Sequence, residues 1–220
     1  MRVLVIDTAL DACTAAVFDD GRPLAVRSEP MAKGHQERIG GLVRDVVAQA
    51  GAGGFSALDR IGVTVGPGSF TGLRVGLAFA QGLGAALDRP VVGVSTLAAL
   101  AWSADGGKGR TTALIDARRG QVYVQWFDNG EPAGAPEALA IETARERLAG
   151  DDGRRVGSGA TLLADVSAAE AVLTTPTAAA LAALTAAADP TTAPPRPLYL
   201  RAPDATPPTR LPGQPRPVRA

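Results

Sequence analysis

Two aspartates and one glycine-rich turn are the places where this chain could do chemistry. Asp7 closes the apolar run "RVLVID", and Asp116 closes "TTALID" 109 residues later. Two carboxylates facing each other across a cleft can hold a metal-nucleotide, with Thr8 and Arg118 beside them in sequence. The competing reading is an ordinary strand end at Asp7-Thr8 and a local ion pair between Asp116 and Arg118 or Arg119. The turn is "GPGSFTG", residues 66–72, set between alternating Ile61, Val63 and Val65 and the apolar stretch 73–87. A strand-turn-helix junction can attract an anion through the free amides of the first helical turn. Spacing removes the two standard versions. A P-loop needs lysine and a hydroxyl after its last glycine, but Gly72 is followed by Leu73 and Arg74. The dinucleotide fingerprint needs a third glycine where Thr71 stands. What remains is a tight turn, with Gly66 and Gly68 for unusual dihedrals, Pro67 for rigidity, and Ser69 or Thr71 as helix cap.

Other reactive side chains are few. His35 is the single histidine and Ile39 occupies the position four residues on, so the H-x-x-x-H pair that puts two imidazoles on one helix face is absent. Cys13 is the single cysteine, which excludes an internal disulfide and a cysteine zinc site, and no histidine lies near it in sequence to activate it. No metal site is expected. Arg118 and Arg119 in "DARRGQVY" lie in a hairpin turn, where they are solvated or meet a phosphate or carboxylate. Twenty-two basic residues balance 22 acidic ones, so no global field draws nucleic acid, and contact with RNA is local or delegated to a partner. The start "MRVLVIDTAL" reaches an aspartate too early for a signal peptide. No apolar run approaches the roughly 20 residues of a membrane span, so the expectation is a cytoplasmic protein without membrane contact.

The elements that must position these residues follow from periodicity. Strands are expected at 2–7, 14–19 and 22–28, the last two joined by the turn "DDG". Ile39, Leu42, Val43, Val46, Val47 and Ala50 mark one stripe of an amphipathic helix over 35–50. A strand at 60–65, a helix at 71–87, a strand at 90–95 and a short helix after it complete a mixed sheet with helices packed on it. Within 71–87, Gly72, Gly76, Ala80 and Gly84 recur every four residues. An interior glycine costs a helix about 1 kcal/mol relative to alanine, so this stripe lets another backbone come close. That backbone belongs either to this chain's own sheet or 35–50 helix, or to a second protein.

The second half repeats the first. Ile115-Asp116 and Phe127-Asp128 match Ile6-Asp7 and Phe18-Asp19 in spacing, and "FDNGEP" matches "FDDGRP". Equal register and turn chemistry indicate an internal duplication. Thereafter a helix is expected around 142–149, a short strand with "VGSGA" at 156–160, and an alanine-rich helix at 176–188. Ten of the 17 prolines fall after residue 188, which predicts an extended or disordered tail in which "PLYLR" (197–201) docks on the body.

Taken together, "VLVIDTALDACTAAVFDDG", "HQER", "VTVGPGSFTGLRVGLAFAQGL", "VVGVSTLAALA", "IDARRGQVY" and "PLYLR" resemble the TsaB (YeaZ) family, densely over 1–125 and thinly afterwards. The resemblance implies an α/β chain with the actin/hexokinase/Hsp70-like (ASKHA) fold. It has two ribonuclease-H-like halves, the second reduced: 1–105 with the partner-binding helices, 106–200, and a proline-rich tail at 201–220. It implies a subunit that is not itself catalytic, a paralogue of the TsaD subunit. Paired with TsaD, and with the ATPase TsaE, it serves threonylcarbamoylation of the adenosine next to the anticodon in tRNAs reading A-starting codons. ATP and metal are then used by the partners, this subunit needs no cofactor, and tRNA is reached only through the complex. The resemblance places His35, Arg38, Ile39, Leu42, Gly72, Leu73, Gly76, Ala80 and Gly84 at the interface with TsaD or with a second copy of the chain. Asp7, Thr8, Gly68, Ser69, Asp116 and Arg118 become a vestigial nucleotide or phosphate region, with "VGSGA" a remnant of a glycine motif. The alternatives are an independent phosphotransferase using Asp7 and Asp116, a metallopeptidase, and a homodimeric regulatory protein.

Overall fold

The computed structural model describes residues 1–163 and 173–201. The segment beyond 201 that was expected as a tail lies outside the described residues, apart from Arg201 itself. β1 (Arg2–Asp7) is apolar on both faces and buried from Val3 onward, which places it in the middle of a sheet. It pairs antiparallel with β2 (Ala12–Asp19) and parallel with β4 (Arg60–Gly66). With β3 (Arg22–Pro30) and β5 (Val91–Ser95) the order is β3-β2-β1-β4-β5.

Each face of β1 has its own cover. Leu4 and Ile6 share a core with Ile39, Leu42, Val43 and Val46 of α1 (His35–Gln49) and with Leu77 and Ala80 of α2 (Phe70–Leu87). Val3 and Val5 point the other way, onto Ala99 of α3 (Thr96–Asp105) and Leu181 and Ala182 of α5 (Ala178–Ala187). The alternation is the period-two pattern of a strand buried on both sides. α2 is the one helix among the described residues long and apolar enough to cross a membrane, and it packs on β4, β1 and α1.

The second sheet is built on the same plan with shorter parts. β6 (Arg110–Arg118) and β7 (Gln121–Asp128) form the antiparallel hairpin, and β10 (Arg154–Val156) lies parallel to β6 as β4 does to β1. The order is β10-β6-β7-β8, where β8 is Glu131–Pro132, and β9 (Glu137–Ala140) also pairs with β7. α4 (Ile141–Arg147) has seven residues where α1 has 15. The two outer hairpin turns agree in detail. Asp20-Gly21 and Asn129-Gly130 all have positive φ, the geometry of a type I′ turn. The arrangement is duplicated, with the second half reduced.

Two features differ from the periodicity. α3 lies between the halves, giving Ala99 to the first core and Leu97, Leu100 and Ala101 to the second. α5, from the stretch expected in the second half, crosses back onto the first sheet, where Arg60 Nη1 donates to the carbonyls of Thr185, Ala186 and Ala188. Docking of the segment after α5 also begins before "PLYLR". Gly93 N donates to Ala193 O, Gln81 Nε2 to Pro195 O, and Leu198 N to Val65 O. Arg201 Nη1 then reaches Ala117 O in the second half at 2.7 Å, so an extended strap ties the two halves together.

Candidate functional site

The turn from Gly66 to Gly72 is packed under the end of β1. Gly66 has φ +107°, a conformation that excludes most side chains, and the Gly66–Pro67 peptide is cis. Ser69 caps α2, its hydroxyl accepting from Gly72 N at 3.3 Å, and its own N–H donates to Ala9 O at 2.7 Å. The Thr8 hydroxyl donates to Gly72 O at 2.8 Å. A Cβ at Gly68 or Gly72 would lie on the carbonyl oxygen of Ala9 or Thr8, and one at Gly76 on the Thr8 hydroxyl. The glycines therefore let α2 and its leading turn touch Thr8 and Ala9, the residues that follow β1.

That packing sets most of the expected interface residues inside the chain. Of the nine only Arg38 is exposed; His35, Ile39, Leu42, Gly72, Leu73, Gly76, Ala80 and Gly84 are buried within the chain. A Cβ at Gly84 would strike Val91. Arg38 is held by Glu29 of β3, whose carboxyl it keeps below its usual range through a hydrogen bond of 2.8 Å. Other glycines lie open. Gly41 and Gly82 sit inside α1 and α2 with no neighbouring atom of the described residues within 4 Å of a methyl group placed there, and Gly40 meets only the Phe79 ring at 3.7 Å. In the sequence they stand on the polar side of a helical stripe, a weaker signal than the regular 72-76-80-84 spacing.

The two aspartates occupy matching positions and different surroundings. Asp7 Oδ1 accepts from Ala9 N at 2.9 Å; Asp116 Oδ1 accepts from Arg118 N at 2.7 Å. Each carboxylate thus closes the turn that ends the first strand of its half. Asp7 is fully buried, and desolvation pushes its carboxyl above the usual range, while hydrogen bonds from Ala9 N and the Thr64 hydroxyl (2.8 Å) oppose that shift. Asp116 remains partly exposed and pairs with Arg118 at 3.1 Å.

Between the halves lies a cleft of about 450 Å³, lined by Asp11, Ser69, Asp116, Arg118 and Ser158 among others. Asp7 does not line it. Asp116 is already engaged by Arg118, and the described residues contain no group of three His, Cys, Asp or Glu placed to hold a metal. Asp7 and Asp116 therefore do not line one common cleft among the described residues. "VGSGA" does form a turn like the first one. Gly157 has φ +96°, Gly159 N donates to Leu114 O, and the Ser158 hydroxyl accepts from Asp116 N at 3.0 Å.

Similarity to known proteins places the chain. The family model for TsaD, tRNA N6-adenosine threonylcarbamoyltransferase, matches residues 26–144, more than half its length. The tRNA threonylcarbamoyladenosine biosynthesis protein TsaB of Haemophilus influenzae is 32% identical over 173 residues, covering 72% of each protein. The chain belongs to the TsaB family. The TsaB protein of Escherichia coli is 41% identical over 133 residues, which is 60% of this chain and 57% of that protein. The match therefore spans less than two thirds of the E. coli relative. The solved structure of YeaZ from Pseudomonas aeruginosa superposes with a TM-score of 0.73 at 31% identity, over 90% of this chain and 99% of that one. Both TsaB relatives are named as tRNA threonylcarbamoyladenosine biosynthesis proteins.

Proposed function

We propose that this chain is a non-catalytic partner subunit that pairs with TsaD through the outer face of α1 and α2, and with TsaE serves threonylcarbamoylation of tRNA. The observation that carries the reading is the set of helix-interior glycines Gly40, Gly41 and Gly82, which fill no need inside the chain. Each weakens its helix by about 1 kcal/mol relative to alanine, and close approach of another helix explains retaining all three. Beside them on α2 are Val75, Ala78 and Phe79, exposed or half-buried, a small apolar surface suited to helix packing.

The non-catalytic part of the reading is supported by the interior. His35 is buried, the position a second imidazole would need is Ile39 in the core, and Asp7 is walled off from the cleft. ATP and metal chemistry then belong to the partners. The test is size exclusion of the purified chain mixed with TsaD. Co-elution as a heterodimer supports the reading. A dimer of this chain alone that TsaD does not displace favours the homodimeric regulatory alternative. Saturable ATP binding by the isolated chain in millimolar magnesium favours the phosphotransferase.

A further inference from the structure

Residues 189–201 cross the molecule without being buried: every one of them is exposed or half-buried. Hydrogen bonds rather than burial hold this strap, and the first half carries a seat for it. Gly93 stands inside β5, where a glycine weakens the strand and marks the close approach of another backbone. A Cβ there would meet the Val65 side chain and lie 2.8 Å from Pro194 O, and Gly93 N donates to Ala193 O at 2.9 Å. Val65 falls at the irregularity in the pairing of β4 with β5, and its carbonyl accepts from Leu198 N at 2.7 Å. A bulged residue is left out of its ladder, and here the strap takes up the carbonyl.

α2 supplies the next contacts from an exposed flank. Arg196 N donates to Pro194 O at 2.8 Å, a three-residue turn that presents Pro195 O to the Gln81 amide at 2.7 Å. The Tyr199 hydroxyl accepts from Arg74 Nε at 3.2 Å, and its ring rests against Phe70 with centroids 5.4 Å apart. Pro190, Pro194, Pro195 and Pro197 stiffen the segment. It therefore loses little conformational freedom on seating, and it transmits a displacement rather than absorbing it.

The strap ends on the other half. Arg201 Nη1 donates to Ala117 O at 2.7 Å, a charge-assisted bond. Ala117 lies between Asp116 and Arg118, and all three line the cleft of about 450 Å³ to which the first half contributes Ala9, Gly68 and Ser69. The anchor is thus set in a wall of the cleft itself. We propose that the strap is a releasable clasp. Seated, it holds the two halves at one separation and so fixes the width of the cleft; unseated, it lets them turn about α3, which gives side chains to both cores. The inference stands apart from the pairing with TsaD, since none of these contacts involves Gly40, Gly41 or Gly82.

Release follows from how the strap is held. A segment with few buried contacts and exposed hydrogen bonds opens locally, well below the free energy of global unfolding. Its seat on β4, β5 and α2 is spread over several bonds, whereas the crossing to the second half is made at its far end by Arg201. Loss of that guanidinium frees the second half while the rest of the strap stays on the first. Loss of the contacts with α2 slackens the strap and leaves Arg201 with nothing firm to pull against.

The experiment measures the distance between the halves in the full chain by double electron–electron resonance. Spin labels are placed on Arg27→Cys in β3 and Glu142→Cys in α4, both exposed positions, and Cys13 is buried and takes no label. The native strap should give one narrow distance. Arg201→Ala should raise the population at other distances about tenfold, the effect of losing one hydrogen bond to a charged group, with little change in Tm. Gln81→Leu with Tyr199→Ala, which leaves Arg201 in place, should broaden the distribution in the same sense. Arg201→Lys, whose ammonium still donates to a carbonyl, should restore most of the native distribution. A narrow native distance in Arg201→Ala overturns the clasp, because α3 then fixes the halves unaided. If Arg201→Ala does not fold, the double variant decides by the same criterion. A broad distribution in the chain with its native strap also overturns it.

Discussion

Gly76 of α2 faces Thr8, the residue after β1, with no room for a side chain between them: a Cβ at Gly76 would sit on the Thr8 hydroxyl, which is already donating to Gly72 O. Thr8 is fully buried, so the hydroxyl has nowhere to move. Gly76→Leu should therefore damage the fold itself, by about 3 kcal/mol as a severe case of overpacking. At this chain length that lowers Tm by roughly 6–12 °C. Thermal unfolding of the purified variant checks it. A folded monomer of native Tm that merely fails to pair would contradict the packing described and return the stripe to the interface.

Gly82 makes the opposite prediction on the same helix. Nothing among the described residues lies within 4 Å of a methyl group there. Gly82→Leu should stabilise α2 by about 0.8 kcal/mol through helix propensity while placing a bulky side chain on the proposed contact face. The expected result is a Tm at or above that of the native chain together with loss of co-elution with TsaD. Retained pairing would move the interface elsewhere.

The contrast between these glycines shows what the sequence could and could not tell. Strand and helix positions were legible because Leu4/Ile6 and Val3/Val5 alternate and Ile39, Leu42, Val43 and Val46 recur with helical period. The duplication was legible because type I′ turns favour Asp-Gly or Asn-Gly. Periodicity alone does not say whose backbone a glycine face approaches, and Gly72, Gly76 and Gly84 face Thr8 and Val91 of the same chain. The return of α5 onto the first sheet was also hidden. A ten-residue helix of alanine, leucine and threonine has almost no polar side to orient it. The contact between Phe70 and Tyr199 joins residues far apart in the chain, and no local pattern could reveal it.

Asp7 sets a pH dependence whose sign can be worked out. Burial raises its carboxyl in the folded state above the value it has in the unfolded chain. The folded protein therefore holds this proton more tightly. The stability it contributes is fully present below the unfolded pKa and is lost as pH rises through the folded one. Asp7→Asn removes that dependence. An asparagine oxygen still accepts from Ala9 N and the Thr64 hydroxyl, as the single Asp7 oxygen does now. The variant should be more stable than the native chain at about pH 7–8, with the advantage shrinking towards about pH 4. Denaturant melts across that range test it. A variant less stable at neutral pH would mean that the ionised carboxylate is needed by the fold.

Arg60 holds α5 to the first sheet, and removing it should loosen that helix before anything else. Its Nη1 donates to Thr185 O at 3.0 Å, Ala186 O at 3.2 Å and Ala188 O at 2.6 Å, where the helix leaves its last carbonyls without intrahelical partners. The positive charge also lies at the favourable end of the helix dipole. Arg60→Met keeps the apolar stem and deletes these contacts, at a cost of about 2 kcal/mol. Because Thr185 fills the space left by Gly62 and Leu181 packs among Val3 and Val5, the loss is felt along the whole contact with the first sheet. Hydrogen exchange should quicken over 178–188 while β1 and α1 keep their protection. Uniform acceleration across the chain would show that α5 unfolds only with the rest and has no separate anchor.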